Sequence, residues 1–314
     1  MQRVFMFCIL ALIVSLSAPA QSIWELKVLP RVTVSVLVDN MAGWDGELGE
    51  WGLAYLIECG RHQIILDTGG GRALPENARM MKADLTAPDA VVISHGHEDH
   101  TGGLNDLLDV RKVPNLFMHP AVFETRYVKG STGPVPMTFP MSRGKLVSRV
   151  GKFVETTVPT QIQDGIMVTG QIPRLTDFED TGLSQLVFLD SGLTKSDPIL
   201  DDQAVFFRVP EGIVILLGCG HSGLVNTMAY VSKLTGDQTI YAVMGGTHLL
   251  GASSRRMQMT IDALRKYKVQ KILLSHCTGI QAYAQFASAF PGQCSWPASG
   301  TVVVFGGEKE TQER

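Results

Sequence analysis

The chain has 314 residues, 45% of them hydrophobic and 18% charged, a composition that excludes a disordered, collagenous or coiled-coil protein. Its 27 Lys and Arg against 30 Asp and Glu give a net charge of -3 with no basic stripe, so the electrostatic footprint of a nucleic-acid binder is missing. The length suffices for one large α/β domain.

The first residues read as an address. Arg3 precedes an apolar run from Val4 to Leu16 and the small-x-small triplet Ala18-Pro19-Ala20, the form of an export signal with its cleavage site. That run is shorter than the about 20 apolar residues a membrane span needs. The sequence therefore predicts a signal peptide over residues 1–20, a single domain over residues 21–314, and a periplasmic or secreted protein with no stable membrane span. Cys59, Cys219, Cys277 and Cys294 lie singly, which is not a disulfide framework, although one pair can still bridge in an oxidising compartment.

Alternating residues predict strands over Arg31 to Val38 and Gly52 to Cys59, followed by a third strand, Ile64 to Leu66, that ends at Asp67-Thr68-Gly69. A helix (Leu74 to Met81), a strand (Ala90 to Ser94), a helix (Gly102 to Leu108) and a strand (Leu116 to Met118) continue in βαβ rhythm. Between Gly130 and Pro159 periodicity fades into Pro, Gly, Met and Thr, which reads as a loop-rich insertion near 130–160, with the stretch around Pro136 to Met141 a candidate lid. Strands are expected near 165–169, 185–189, 203–209 and 213–217, a helix over 222–234 and a strand over 239–244. A helix over 254–267 follows, with Met257, Ile261, Leu264 and Tyr267 on one face, and Lys271 to Leu274 is expected as the last core strand.

The strongest chemical signal is His95-Gly96-His97-Glu98-Asp99-His100, directly after a strand. His95, His97, Asp99 and His100 are candidate metal ligands, since imidazoles suit zinc, iron or copper and the carboxylate adds a hard anionic donor. One metal does not need so many, so the density predicts two adjacent divalent ions, zinc first with manganese or iron as alternatives. Cys219 and His221, His248, and His276 each follow a later strand; His62 and His119 are read as structural. A serine elbow at Ser222 is disfavoured because Gly223 follows at once, and a Cys219/His221 thiol nucleophile leaves the hexapeptide unexplained.

That hexapeptide, followed by Thr101-Gly102-Gly103-Leu104 and preceded by Leu66-Asp67-Thr68-Gly69, resembles the metallo-β-lactamase fold superfamily. Thr169 to Arg174, Gly218 to Gly223 and Ser275 to Gly279 resemble its branch containing the dihydropterin-ribofuranosylaminobenzene phosphate synthases. The resemblance implies a four-layer αβ/βα sandwich, His95 and His97 on one metal, Asp99 and His100 on the other, His276 as the late ligand and Asp67 as an orienter of a ligand. The pattern departs in the middle, where Gly218-Cys219 stands in place of a Gly-Asp pair. The inference is that His221 supplies the missing imidazole, while Cys219 either replaces the bridging ligand or packs beside it. His248 is a candidate for substrate contact or acid catalysis, and Arg174, by analogy with the branch, for an anionic substrate group.

Together these readings predict a metal-dependent hydrolase that activates water against a phosphoester, ester, lactone or cyclic amide in a small-molecule substrate, with Asp99 or a water handling the proton. The alternatives are a transferase joining a pterin to an aromatic phosphate, which the export signal argues against, a redox di-iron protein, and a non-catalytic metal- or ligand-binding module.

Overall fold

The computed structural model describes residues 24–110, 113–137, 139–182 and 186–307; the predicted signal peptide lies outside them. In chain order the elements begin with β1 (Val32–Val38), β2 (Ala54–Cys59), β3 (His62–Leu66), α1 (Ala73–Met81), β4 (Ala90–Val92), α2 (Glu98–Thr101), α3 (Leu104–Val110) and β5 (Asn115–Met118). They continue with β6 (Arg126–Gly130), β7 (Gly133–Met137), α4 (Arg143–Arg149), β8 (Lys152–Glu155), β9 (Thr160–Gln163), β10 (Ile166–Val168), β11 (Val187–Phe188), β12 (Ala204–Val209) and β13 (Gly212–Leu217). The last are α5 (Leu224–Thr235), β14 (Ile240–Gly245), α6 (Ser254–Lys266), β15 (Lys271–Leu274), α7 (Ile280–Ala289), β16 (Cys294–Ser295) and β17 (Val302–Phe305).

Two seven-stranded sheets form the centre, ordered β17-β1-β2-β3-β4-β5-β8 and β16-β15-β14-β13-β12-β10-β9. Val34, Tyr55 and Leu66 of the first meet Phe207, Leu216 and Met244 of the second in one buried layer. Leu74, Leu107 and Leu146, on α1, α3 and α4, cover the outside of the first sheet, and Met228, Leu264 and Phe286, on α5, α6 and α7, cover the second. The result is a four-layer αβ/βα sandwich, each face of each sheet finding an apolar partner. Complete burial of each such side chain contributes about 1.5–3 kcal/mol.

Three expectations are corrected. The helix expected over 102–108 is α3, starting at Leu104, and a separate short helix precedes it, α2, which carries Asp99 and His100. The stretch expected to be loop-rich holds the β6/β7 hairpin, α4 capped by Ser142, and β8, which adds to the first sheet. Pro134 and Pro136 hide the strand period of β7 and are accommodated because β7 is an edge strand of a small sheet ordered β11-β6-β7. Finally, β15 is followed by β16 and by β17, whose Val303 pairs with Val34 to complete the first sheet.

Candidate metal centre

The loops after six strands meet at one end of the sandwich. β1, β3 and β4 share a direction in the first sheet, and β13, β14 and β15 are parallel in the second. The residues after their carboxyl ends, including Asn40, Asp67, His95 to His100, Cys219, His221, His248 and His276, therefore collect where open parallel sheets place ligands. Asp67 (φ 60°), His248 (φ 47°) and His276 (φ 53°) hold left-handed backbone, which costs a non-glycine residue about 1–2 kcal/mol and persists only where the surroundings fix it. For Asp67 the fixing contact is Ser94 N, which donates to its Oδ1 at 2.7 Å; for His276 it is its own N–H, which donates to Asp39 Oδ1 at 3.0 Å.

Four imidazoles have one ring nitrogen committed to an outer partner. His100 Nδ1 lies 2.7 Å from Asp67 Oδ2, His221 Nδ1 2.7 Å from the Thr181 carbonyl and His276 Nδ1 2.9 Å from Asn40 Oδ1. His95 Nδ1 lies 2.9 Å from Ser94 Oγ, whose own hydrogen goes to Asp67 Oδ2 at 2.6 Å. All four partners accept, so each Nδ1 carries a proton and each Nε2 points inward.

Those inner atoms crowd together. His95 Nε2 is 3.0 Å from His97 Nδ1, His100 Nε2 is 3.1 Å from Cys219 Sγ and 3.3 Å from His276 Nε2, and Asp99 Oδ2 is 3.3 Å from His276 Nε2. The buried Nε2 atoms of His97 and His221 and Nδ1 of His248 have no hydrogen-bond partner. Donor atoms fall within 4.8 Å of one another in three overlapping sets: Asp99, His100, Cys219 and His276; His95, His97 and His221; and Cys219, His221 and His248. Converging lone pairs with fixed outer nitrogens are the arrangement a divalent cation satisfies, and the imidazole, carboxylate and thiol donors fit one.

The electrostatics agree. Burial holds His95 and His221 well below the usual imidazole range and drops His97 to about 3, so all three are neutral and ligand-ready. Burial also opposes charge on His100, but Asp99 and Asp67 outweigh it and raise that ring to about 9. For Asp99 burial is likewise outweighed, by His100 and His276, and its carboxyl lies below the ordinary range. Burial, together with the adjacent Cys277 thiol, pushes Cys219 up.

The cluster floors a cavity of about 560 Å³, into which Asp99, His248 and Cys219 open. Its walls include Trp51, Leu250, Met137 of the β6/β7 hairpin, and Leu186 and Val187 at β11. The Trp51 ring stands 5.3 Å from that of His276, and the His248 ring 4.4 Å from that of His221. Gly182 lets His248 sit there, because a Cβ at its φ of 74° would collide with Nδ1.

The structure thus brings His95, His97, Asp99, His100, Cys219, His221, His248 and His276 together, with Asp67 behind His100. It does not bring Arg174 to the cavity. That guanidinium donates to the Ile199 carbonyl at 2.8 Å and to Ser222 Oγ at 3.3 Å, behind the His221 turn, so the expected grip on an anionic group is corrected. Cys59, Cys219, Cys277 and Cys294 are all free thiols, and no pair bridges. His119 accepts from Ala121 N in a tight turn, as a structural histidine does.

Sequence reasoning missed Asn40, Asp39, Cys277 and Asp201. Asp39-Asn40 had a signal, since it ends a strand just as Asp67 does. Cys277 adjoins His276. Asp201 had none, because its partner Gly96 N, at 2.7 Å, is remote in sequence.

Residues 52–161 match the family model described as the metallo-beta-lactamase superfamily. The chain thus matches that model over about a third of its length. It is 27% identical, over 88% of its length and 97% of the relative's, to the 7,8-dihydropterin-6-methyl-4-(beta-D-ribofuranosyl)-aminobenzene-5'-phosphate synthase of Methanocaldococcus jannaschii. Among solved structures it is similar to Tm1679, a metal-dependent hydrolase of the beta-lactamase superfamily, with a TM-score of 0.73, 25% identity and coverage of 87% of this chain and 98% of that one. Zn(2+)-bound PqqB from Methylobacterium extorquens shares the fold at a TM-score of 0.51 and 12% identity, covering 86% of this chain and 99% of that one. The metallo-β-lactamase family match contains Asp67 and the His95–His100 loop; His221, His248 and His276 lie beyond it, at the same end of the fold.

Proposed function

We propose that this protein is a metal-dependent hydrolase with two divalent ions, zinc first, acting on a neutral ester, lactone or cyclic amide that carries an apolar group. The observation that supports this most is the convergence of imidazole lone pairs, the Asp99 carboxylate and the Cys219 thiol on the floor of an open, apolar-walled cavity. His95, His97 and His221 would hold one divalent ion and Asp99, His100, Cys219 and His276 a second, which would supply Lewis acidity and lower the pKa of water toward neutral. The chain's own groups do the rest. Asp67, Asn40, Ser94 and the Thr181 carbonyl aim the rings. Asp99, ionised and partly open to the cavity, receives the proton of the attacking water, and His248, with Nδ1 unpartnered, stands where a leaving group needs one.

No Lys or Arg lines the cavity among the described residues, while Trp51, Met137, Leu186, Val187 and Leu250 do, which favours an uncharged apolar substrate over a phosphoester. A second reading, a transferase joining a pterin to an aromatic phosphate, is favoured by the near-complete coverage of the Methanocaldococcus synthase. The test is metal content and turnover of the zinc-loaded chain on esters, lactones, cyclic amides and phosphoesters, beside the pterin-joining assay and the His97→Ala and His221→Ala variants. Lactone or ester turnover that both variants abolish supports the hydrolase; pterin joining without hydrolysis overturns it.

A further inference from the structure

Arg126, at the start of β6, is only 2% exposed, and its guanidinium is shared between two buried carboxylates. Nε donates to Asp197 Oδ2 at 2.5 Å and Nη2 to Asp201 Oδ1. The other oxygen of Asp201 accepts the Gly96 N–H at 2.7 Å, in the middle of His95-Gly96-His97. A Cβ on Gly96 would stand 2.9 Å from Arg126 Nη1 and 3.2 Å from Asp201 Oδ2, so the loop is seated directly on this ion triad. The same short segment holds other parts of the site. Asp197 N donates to the Val187 carbonyl, Gln203 N to that of Ser94, and Asp202 Oδ2 accepts from Ser222 N beside His221.

We propose that Arg126 is a positioning residue for the metal centre: through Asp201 it fixes the Gly96 amide and thereby the spacing of His95 and His97, while through Asp197 it anchors the β11 strand that walls the cavity. The inference rests on reading the cluster as a metal centre. A buried Arg-carboxylate triad contributes little net stability against an apolar replacement but imposes one geometry, as a fixed bidentate fork does. It also orders the functions of its two carboxylates. Asp197 and Asp201 both pair with Arg126, yet only Asp201 touches the ligand loop.

The experiment is cobalt(II) titration of the full-length chain, with chelator competition for affinity and the visible ligand-field spectrum for geometry, beside thermal unfolding of each metal-free variant. Asp201→Asn has one oxygen for two donors, so it and Arg126→Met are expected to weaken cobalt binding about 10- to 100-fold and alter the spectrum. Asp197→Asn is expected to lower the unfolding midpoint comparably while changing affinity less than about threefold, and Leu264→Ala in α6 serves as a destabilised control with normal binding. Should Arg126→Met fail to fold, Gly96→Ala, which leaves the triad's residues unsubstituted but presses a methyl on Arg126 Nη1 and Asp201 Oδ2, is expected to reproduce the loss. Cobalt affinity and spectrum unchanged in Asp201→Asn, or equally weakened in Asp197→Asn, would overturn the proposal. A flat titration of the parent chain would overturn the metal-centre reading itself, and the positioning role with it.

Discussion

Asn40 Oδ1 lies 2.9 Å from His276 Nδ1, and its amide nitrogen reaches the His276 carbonyl at 3.3 Å. One side chain at the end of β1 therefore holds both the ring and the backbone of a residue that adopts a left-handed φ after β15. Cutting such a contact to a ligating histidine typically costs 10- to 100-fold in metal affinity. Asn40→Ala is accordingly expected to lower zinc affinity by about that factor, with Asn40→Asp, which keeps the acceptor, recovering most of it. Chelator competition measures both.

The contrast between His276 and Asn40 shows what was legible in the sequence. His95 to His100 announced itself because ligand-bearing residues cluster within one loop, and the βαβ rhythm around it indicated sheet covered by helices, while the four-layer sandwich was implied by the family resemblance. His221 and His276 were legible because each follows a clear buried strand, β13 or β15. Asn40, Asp201 and Arg126 make their contacts across long separations through one or two hydrogen bonds each, which leave no period or spacing to read. Arg174 misled because its sequence context resembles a substrate grip while its guanidinium turns to the Ile199 carbonyl. The proline-studded β7 hid a strand whose partner, β6, lies only a turn away.

His100 sets the pH response of metal uptake. Its folded value of about 9 lies above the ordinary 6.5, so its stabilising contribution in the metal-free protein is fully present below 6.5 and is lost as the pH rises through 9. A ligand must shed that proton, so metal affinity is expected to rise at least about tenfold per pH unit between 7 and 9. Zinc titration calorimetry at pH 7 in two buffers of different ionisation enthalpy should show at least one proton released per chain; no buffer dependence would contradict this.

Asp202 offers a test at a residue that is not itself a proposed ligand. Its Oδ2 accepts from Ser222 N at 2.8 Å, its Oδ1 has no partner, and burial, outweighing Ser222 and Arg174, raises its carboxyl to about 6 from an ordinary 3.8. An acid with a raised folded value favours the fold below 3.8 and loses that advantage as the pH climbs through 6. At pH 8 the buried charge costs of order 3 kcal/mol. Asp202→Asn keeps an acceptor for Ser222 without ionising. It is expected to raise the unfolding midpoint by a few degrees at pH 8 and by nothing near pH 4, as calorimetry at the two pH values will show.

Trp51 stands 57% exposed at the cavity mouth with its ring over His276, so it is placed to contact substrate rather than to hold a ligand. Trp51→Ala is expected to raise KM several-fold on an apolar ester with kcat little changed, the pattern of binding lost equally in ground and transition states. A fall in kcat with unchanged KM would instead place Trp51 in the chemistry.

Cys219 is the position where ligand and packing roles predict different spectra. Its sulfur lies 3.1 Å from His100 Nε2 and belongs to a set of converging donors, whereas Cys277 Sγ faces the Cys219 carbonyl at 3.6 Å. Burial keeps Cys219 protonated in the metal-free chain, but coordination removes the proton of a ligating thiol outright. The cobalt-loaded protein is then expected to show a near-ultraviolet sulfur-to-cobalt charge-transfer band that Cys219→Ser abolishes and Cys277→Ser retains. A parent spectrum without the band would make Cys219 a packing residue and leave Asp99, His100 and His276 to hold that ion; loss of the band in Cys277→Ser alone would move the thiolate to the neighbouring loop.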